Sequence, residues 1–285
     1  KTKNTLKGLK TMTARTNAPT AISALPHAIE NFERVVHELK NKKPAVFLDY
    51  DGTLTEIAEH PDLAVLSPSM RHSIGRLADR TLTGIISGRD LDNVRNLVQK
   101  DELLYAGSHG FDVFIPGQGR FEPHPQPADL EQVHAELHKR FQDISGIILE
   151  QKRYSLAVHY RQVQDDDQFT VQTQVDDVLR QYPTLRQFGG KKIIEIQPDI
   201  QWDKGRALLY ILDLLPQQFE FIPLYIGDDT TDENAFAVLT TSGIGICVSA
   251  QNRLTLASFR LRSVQEVQVF IERLSQWLEM RTSSS

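Results

Sequence analysis

Ala45–Asp49 reads AVFLD, a short apolar run with no polar alternation. A strand of that composition has to be covered on both faces, which demands helices on each side of a sheet. Similar runs return at Leu82–Ser87 (LTGIIS), Leu103–Ala106, Ile222–Ile226 and Gly245–Val248. Helix signals fall between them. Ser67 can cap a helix with Pro68 in its first position and Met70, Ile74 and Leu77 on its apolar face. Further helices are expected at Leu91–Gln99, from about Lys204 and after Asp232. The last opens with Ser263 and Glu266 in capping-box spacing and presents Val267, Phe270, Leu274, Trp277 and Leu278. Strands alternating with helices predict parallel βαβ units. The expected class is α/β, with a doubly wound, Rossmann-like parallel-sheet core.

Between Asp112 and Gln201 the rhythm changes. Phe111–Ile115 and Arg120–Phe121 flank PGQG, a hairpin signal. Leu130–Phe141 and Phe169–Leu179 read as helices, and Ile147–Glu150, Ser155–Tyr160 and Ile193–Ile196 as strands. Adjacent strands without an intervening helix predict an inserted α+β domain with an antiparallel sheet. The expected plan is an N-terminal tail and helix over 1–42, core over 43–111, insert over 112–201 and the rest of the core over 202–285. Leu25, Ile29, Phe32, Val36 and Leu39 step by three and four, as on one face of a helix. The acid-free basic start up to Thr20 reads as a flexible tail or linker, or as a transit peptide.

Composition narrows the function classes. With a formal charge of -5 the chain has no overall basic footprint for nucleic acid. Cys247 is the single cysteine, so an intramolecular disulfide and a four-cysteine zinc site are both excluded. No run of about 18 apolar residues occurs, so no membrane span is expected. These features predict a soluble protein of the cytoplasm.

Ligands of open α/β sheets sit beyond the carboxyl ends of the strands. The first strand ends in Asp49-Tyr50-Asp51-Gly52-Thr53, the second in Ser87-Gly88-Arg89, and a later one in Gly227-Asp228-Asp229 with Asp232 three residues on. Trp202-Asp203-Lys204-Gly205 follows the insert. A parallel sheet would gather Asp49, Asp51, Asp228, Asp229 and Asp232 in one crevice. Two like charges at 4 Å cost about 4 kcal/mol at an effective dielectric near 20, so a cation is required. Oxygen-only ligands with few protein groups suit Mg²⁺. Helix capping explains Asp228 or Asp229 singly, but not two acids at the end of a different strand. The spacing Asp-x-Asp allows one carboxylate to attack phosphorus and a second to move a proton at the leaving oxygen. Ser87 and Thr53 offer hydroxyls and Lys204 a positive charge for phosphoryl oxygens.

These four motifs resemble those of the haloacid dehalogenase superfamily of phosphohydrolases, over nearly everything from Lys43 to Leu278. The resemblance implies Asp49 as nucleophile, Asp51 as general acid/base, and Mg²⁺ held by Asp49, Asp228 and the backbone carbonyl of Asp51. Asp229 and Asp232 match acids that assist around the metal. The insert matches the position of the superfamily's larger type of cap domain.

The insert carries Glu150-x-Lys152, then His159-Tyr160-Arg161, then Lys191 and Glu195. Mixed acids and bases on one sheet face suit sugar hydroxyls, or equally form solvated cross-strand ion pairs. FLDYDGTL, ISGRD, AGSHG, LEQKRYSLAVHYR, KKIIEIQP, WDKG and GDDTTDE together look like the trehalose-6-phosphate phosphatase family. That resemblance implies that Glu150, Lys152, Arg161, Lys191 and Glu195 contact phosphate or trehalose. His109 falls at a core–cap hinge, as a cleft residue or a structural one, and Arg89 is structural or near the phosphate. It implies removal of phosphate from trehalose 6-phosphate through an aspartyl phosphate, alongside a trehalose-phosphate synthase. The alternatives are a phosphatase for sucrose phosphate or a glycosylglycerate phosphate, and a silent sugar-phosphate sensor. A P-loop kinase or NTPase is disfavoured, since no GxxxxGK[ST] segment occurs.

Overall fold

The computed structural model describes residues 18–39, 42–58, 63–190, 192–216 and 221–282. After a two-residue strand β1 (Thr20–Ala21) come α1 (Phe32–Glu38) and β2 (Lys43–Leu48). The βα rhythm continues through α2 (Pro68–Ala78), β3 (Thr83–Ile86), α3 (Leu91–Val98) and β4 (Leu104–Gly107). A hairpin of β5 (Asp112–Ile115) and β6 (Gly119–Phe121) precedes α4 (Leu130–Arg140). Then follow β7 (Ile148–Gln151), β8 (Leu156–His159), α5 (Asp165–Leu179), β9 (Leu185–Gly190) and β10 (Ile193–Pro198). The core resumes with α6 (Lys204–Leu214), β11 (Phe221–Gly227), α7 (Glu233–Leu239) and β12 (Ile244–Val248). The short strands β13 (Leu254–Thr255) and β14 (Phe259–Leu261) lead into α8 (Val264–Thr282).

The main sheet has the order β14-β12-β11-β2-β3-β4-β5-β6. Its pairs from β14 to β4 are parallel, and β5 and β6 are antiparallel. The unbroken apolar runs now have a cause. Val46 and Leu48 join a core cluster with residues of α2, α3 and α8, whereas Ala45 and Phe47 join one with residues of α6 and α7. Because side chains alternate along a strand, covering both faces makes every position apolar. Each fully buried Leu or Phe contributes about 1.5–3 kcal/mol. Ser67 caps α2 as its sequence predicts, its hydroxyl accepting the Met70 N–H at 3.1 Å.

Two expectations are corrected. The helix expected from Leu25 begins only at Phe32. Residues just before it pair with β14: Arg260 donates its N–H to the Pro26 carbonyl at 3.1 Å, and Ala28 donates to the Arg260 carbonyl at 2.9 Å. Those tertiary bonds take the groups a helix would have used. The insert boundary at residue 112 falls inside the core sheet, because β5 pairs with β4 and β6 with β5. Alternation identifies a strand but not the sheet that receives it.

The insert has its own antiparallel sheet, β7-β8-β10-β9. Val158 and Ile194 point into a separate core with Leu130 and Val133 of α4 and Val171 and Val175 of α5. Core and insert meet where the Phe111 ring stacks on Tyr154 at 5.4 Å between centroids and Trp202 packs 6.0 Å from Phe111. The buried Asp112 beside them accepts from Arg120, with Arg153 of the insert at 3.7 Å. Among the described residues no helix is long and apolar enough to cross a membrane.

Candidate active site

β2 and β11 are neighbours at the middle of the main sheet, and the chain winds away from them in opposite directions. That reversal opens a crevice beyond their carboxyl ends. Asp49 directly follows β2, its N–H donated to the Ile226 carbonyl at 2.9 Å, and Asp228 directly follows β11. Gly52 lets the two loops meet. Its φ is +83°, and a Cβ there would lie 2.2 Å from Asp228 Oδ2. Thr53, fully buried, donates its hydroxyl to Asp228 Oδ1 at 3.2 Å.

Lys204, at the start of α6, reaches into this crevice. Its Nζ donates to Asp49 Oδ1 and to Asp232 Oδ1, both at 2.7 Å, and the three side chains are 3%, 6% and 0% exposed. Asp232 also accepts from the Tyr225 hydroxyl at 2.7 Å and, on Oδ2, from the Asp229 N–H at 2.9 Å. Through these bonds one carboxylate ties together Lys204, Tyr225 and the Asp228–Asp229 loop. Burial pushes the Asp49 carboxyl well above the usual range against the pull of Lys204, and Asp232 pushes the same way. Burial alone would lower the Lys204 ammonium, but Asp232 and Asp49 outweigh it and hold the lysine charged. Burial, then Asp232, lifts Asp228 to about 6. Oxygens of Asp49, Asp228 and Asp232 lie within 4.8 Å of one another, a donor set of hard oxygens that fits a divalent cation.

Asp51 does not point into that cluster. Its carboxylate faces Arg89, which donates from Nε to Oδ2 at 2.7 Å and from Nη2 to Oδ1 at 2.6 Å. The same guanidinium lies 5.2 Å above the Tyr50 ring and donates to Asn93 at 3.2 Å. Ser87 directly follows β3, where its buried hydroxyl accepts the Arg89 N–H at 3.1 Å. This fixes the position that the sequence left open for Arg89, and Tyr225 was hidden altogether because an aromatic in a strand run reads as core.

His109 follows β4 in a left-handed turn, with φ of +49° at Ser108 and +56° at His109. A Cβ at Gly88 would come within 2.8 Å of its ring. Burial, then the charge of Lys204, lowers its pKa to about 4. His109 lies against Ser155, Glu195 and Gln197 of the insert, at the contact between core and insert.

Strand register shows which insert residues share a face. Glu150 pairs with Ala157 and Ala157 with Glu195, so the two carboxylates flank a small residue on the side away from α4 and α5. Glu195 accepts from Ser155 at 2.9 Å and pairs with Lys152 at 3.5 Å. Burial would raise its carboxyl, but Lys152 and His109 hold it below the ordinary value. Glu150 is exposed and meets His159 at 2.9 Å. Arg161, in the turn after β8, is exposed. Lys191 lies outside the described residues.

Comparison with known proteins gives these observations a context. The trehalose-phosphatase family model matches residues 47–265. Trehalose 6-phosphate phosphatase RA3 of Zea mays is 40% identical over 269 residues, covering 88% of this chain and 74% of its own length. Probable trehalose-phosphate phosphatase H of Arabidopsis thaliana is 38% identical over 277 residues, 91% of this chain and 79% of its own. In fold, the chain is similar to the C-terminal domain of C. albicans trehalose-6-phosphate phosphatase. The TM-score is 0.71 at 22% identity, over 88% of this chain and 98% of that one. A haloacid dehalogenase-like hydrolase from Bacteroides thetaiotaomicron gives 0.61 at 15% identity, over 82% and 100%.

Proposed function

The chain belongs to the trehalose-phosphatase family, and from that premise we propose that it hydrolyses trehalose 6-phosphate to trehalose and inorganic phosphate, with Asp49 as nucleophile and Mg²⁺ as cofactor. The observation that carries the mechanism is the buried Lys204 ammonium 2.7 Å from both Asp49 and Asp232, beside Asp228 at the sheet's reversal. Asp49 and Asp228 are the carboxylates that would hold the metal, joined by the backbone carbonyl of Asp51. A bound Mg²⁺ would supply charge neutralisation for phosphoryl oxygens approaching these carboxylates. Asp232, 2.7 Å from the Lys204 ammonium, positions Lys204.

Asp49 attacks phosphorus, and the bond from phosphorus to the sugar O6 breaks. Asp51 gives its proton to that oxygen, so trehalose leaves as the alcohol. Asp51 then takes a proton from water as the water attacks the aspartyl phosphate, and phosphate departs with Asp49 restored. Lys204, Ser87 and the Thr53 hydroxyl lie around the position of the phosphoryl oxygens. For either proton transfer one Asp51 oxygen has to leave Arg89. Glu150, Lys152 and Glu195 read the sugar, supported by their common face on the insert sheet, and Arg161 and Lys191 join them by family resemblance. The reaction would follow a trehalose-phosphate synthase. The cytoplasm is the proposed compartment, in keeping with a free, buried Cys247 thiol.

The test is phosphate release from trehalose 6-phosphate, sucrose 6-phosphate and a glucosylglycerate phosphate, with and without Mg²⁺. We expect release from trehalose 6-phosphate in the presence of Mg²⁺ and its loss with EDTA. Preference for another sugar phosphate would overturn the substrate, and binding without turnover would identify a sensor.

A further inference from the structure

Asp228 is held from two sides. Its carboxylate rests on Gly52 and Thr53, as described above, while its main chain is gripped from behind the loop by Arg253, in the turn between β12 and β13. Arg253 Nη2 donates to the Asp228 carbonyl at 2.8 Å and lies 3.4 Å from Cys247 Sγ. Nη1 pairs with the Glu233 carboxylate, whose other oxygen accepts the Leu256 N–H at 2.8 Å. Arg253 and Glu233 thus fasten the loop after β11 to the next strand connection. No step of the chemistry uses either of them.

The Arg253 turn is itself fastened by residues outside the 47–265 match. Ile22 donates its N–H to the Arg253 carbonyl at 2.9 Å, and Ser23 donates to Asn252 Oδ1 at 3.0 Å. Beside them β1 pairs with β13, Thr20 opposite Thr255 and Ala21 opposite Leu254. A chain of bonds therefore runs from an N-terminal strap through Arg253 to Asp228.

We propose that Arg253 is a positioning residue for the Asp228 metal ligand, and that the strap over residues 20–23 holds Arg253 in place and so sets metal affinity. The proposal rests on the reading of Asp228 as a ligand. A planar guanidinium directs one nitrogen at the Glu233 carboxylate and another at the Asp228 carbonyl in fixed geometry, whereas the compact ammonium of a lysine has a single nitrogen and no such fork. Without it the loop has lost its rear support, and the carboxylate no longer waits in the ligating position. Groups behind a ligand commonly change metal affinity by 10- to 100-fold, and a grip on the main chain belongs at the lower end.

Calorimetric titration of the full chain with Mg²⁺ in the absence of substrate tests this, using Arg253→Gln, Arg253→Lys, Asn252→Ala and Asp228→Asn. Arg253→Gln is expected to weaken Mg²⁺ binding roughly tenfold, with Arg253→Lys between it and the parent. Asn252→Ala, which only loosens the strap, should weaken binding in the same direction by less. Raising Mg²⁺ to saturation should restore kcat in all three, with KM for trehalose 6-phosphate unchanged. Parent-like Mg²⁺ affinity in Arg253→Gln, with Asp228→Asn deficient, overturns the positioning role alone. Parent-like affinity in Asp228→Asn as well overturns the ligand reading beneath it. Should Arg253→Gln fail to fold, parent-like affinity in both Arg253→Lys and Asn252→Ala overturns the proposal.

Discussion

Asp49 and Asp51 are two residues apart and meet opposite surroundings. Asp49 is buried against Lys204, so it is fixed for attack and shielded from water. Asp49→Asn keeps the shape but removes the attacking anion and a metal charge. Phosphate release should fall by several orders of magnitude, since uncatalysed phosphate monoester hydrolysis is extremely slow. Appreciable turnover by this variant in a malachite-green assay removes Asp49 from its role. Asp51 is partly exposed and held at both oxygens by Arg89. Asp51→Asn should slow trehalose 6-phosphate hydrolysis about 10²–10⁴-fold, the range for general acid–base catalysis. An aryl phosphate needs no protonation of its leaving group. Its single-turnover phosphorylation of Asp49 should be affected far less, and equal losses on both substrates would disprove the proton-donor assignment. Both acids were legible in the sequence because strand ends are predictable positions. The Arg89 contact was not, since nothing in a linear string says that residue 89 turns back over Tyr50 to reach residue 51.

At the scale of elements, the insert sheet divides its labour by face. Alternate residues of β7, β8 and β10 serve the α4–α5 core, and the others present Glu150, Ala157 and Glu195. Lys152 sits one residue past β7, where its N–H is donated to the Ser155 carbonyl at 2.8 Å, and its ammonium meets Glu195. Lys152→Ala or Glu195→Ala leaves the metal crevice intact, so a small non-sugar phosphate ester should turn over nearly as before. Trehalose 6-phosphate should lose hydrogen bonds to charged groups worth roughly 1.5–3 kcal/mol each, or about ten- to a hundredfold in kcat/KM. Equal losses on both substrates would mean that the pair only holds the insert together.

Across the whole molecule, His109 couples the two domains to pH. It lies against insert residues, and its imidazole stays neutral down to about 4. An unfolded histidine titrates near 6.5, so between those values the unfolded chain binds more protons and stability falls as pH falls. The contribution is fully present above about 6.5 and lost towards 4, with roughly 2 kcal/mol gone by pH 5. Asp228, raised to about 6, works with the opposite sign: its stabilisation belongs to low pH and is lost as pH rises through 6. The clean observable is therefore the difference in Tm between the parent and His109→Asn, since asparagine tolerates the left-handed backbone. Lowering pH from 7 to 5 should move that difference several degrees in favour of the variant. A difference independent of pH would show that His109 titrates normally.

Periodicity and strand-end chemistry determined the α/β class with its antiparallel insert, and placed Asp49 and Asp228 at strand ends and Lys204 at a helix start. They could do so because burial on two faces, helix caps and charged strand ends leave marks within a few neighbouring residues. Tertiary structure alone decided that the 112–121 hairpin joins the core sheet, that residues 26–28 pair with β14 instead of forming a helix, and that Arg89 holds Asp51. It also decided that Arg253 stands behind Asp228. Each of these depends on groups brought together from distant parts of the chain, where which partner wins is settled by geometry and competition for hydrogen bonds, and local sequence carries no trace of the outcome.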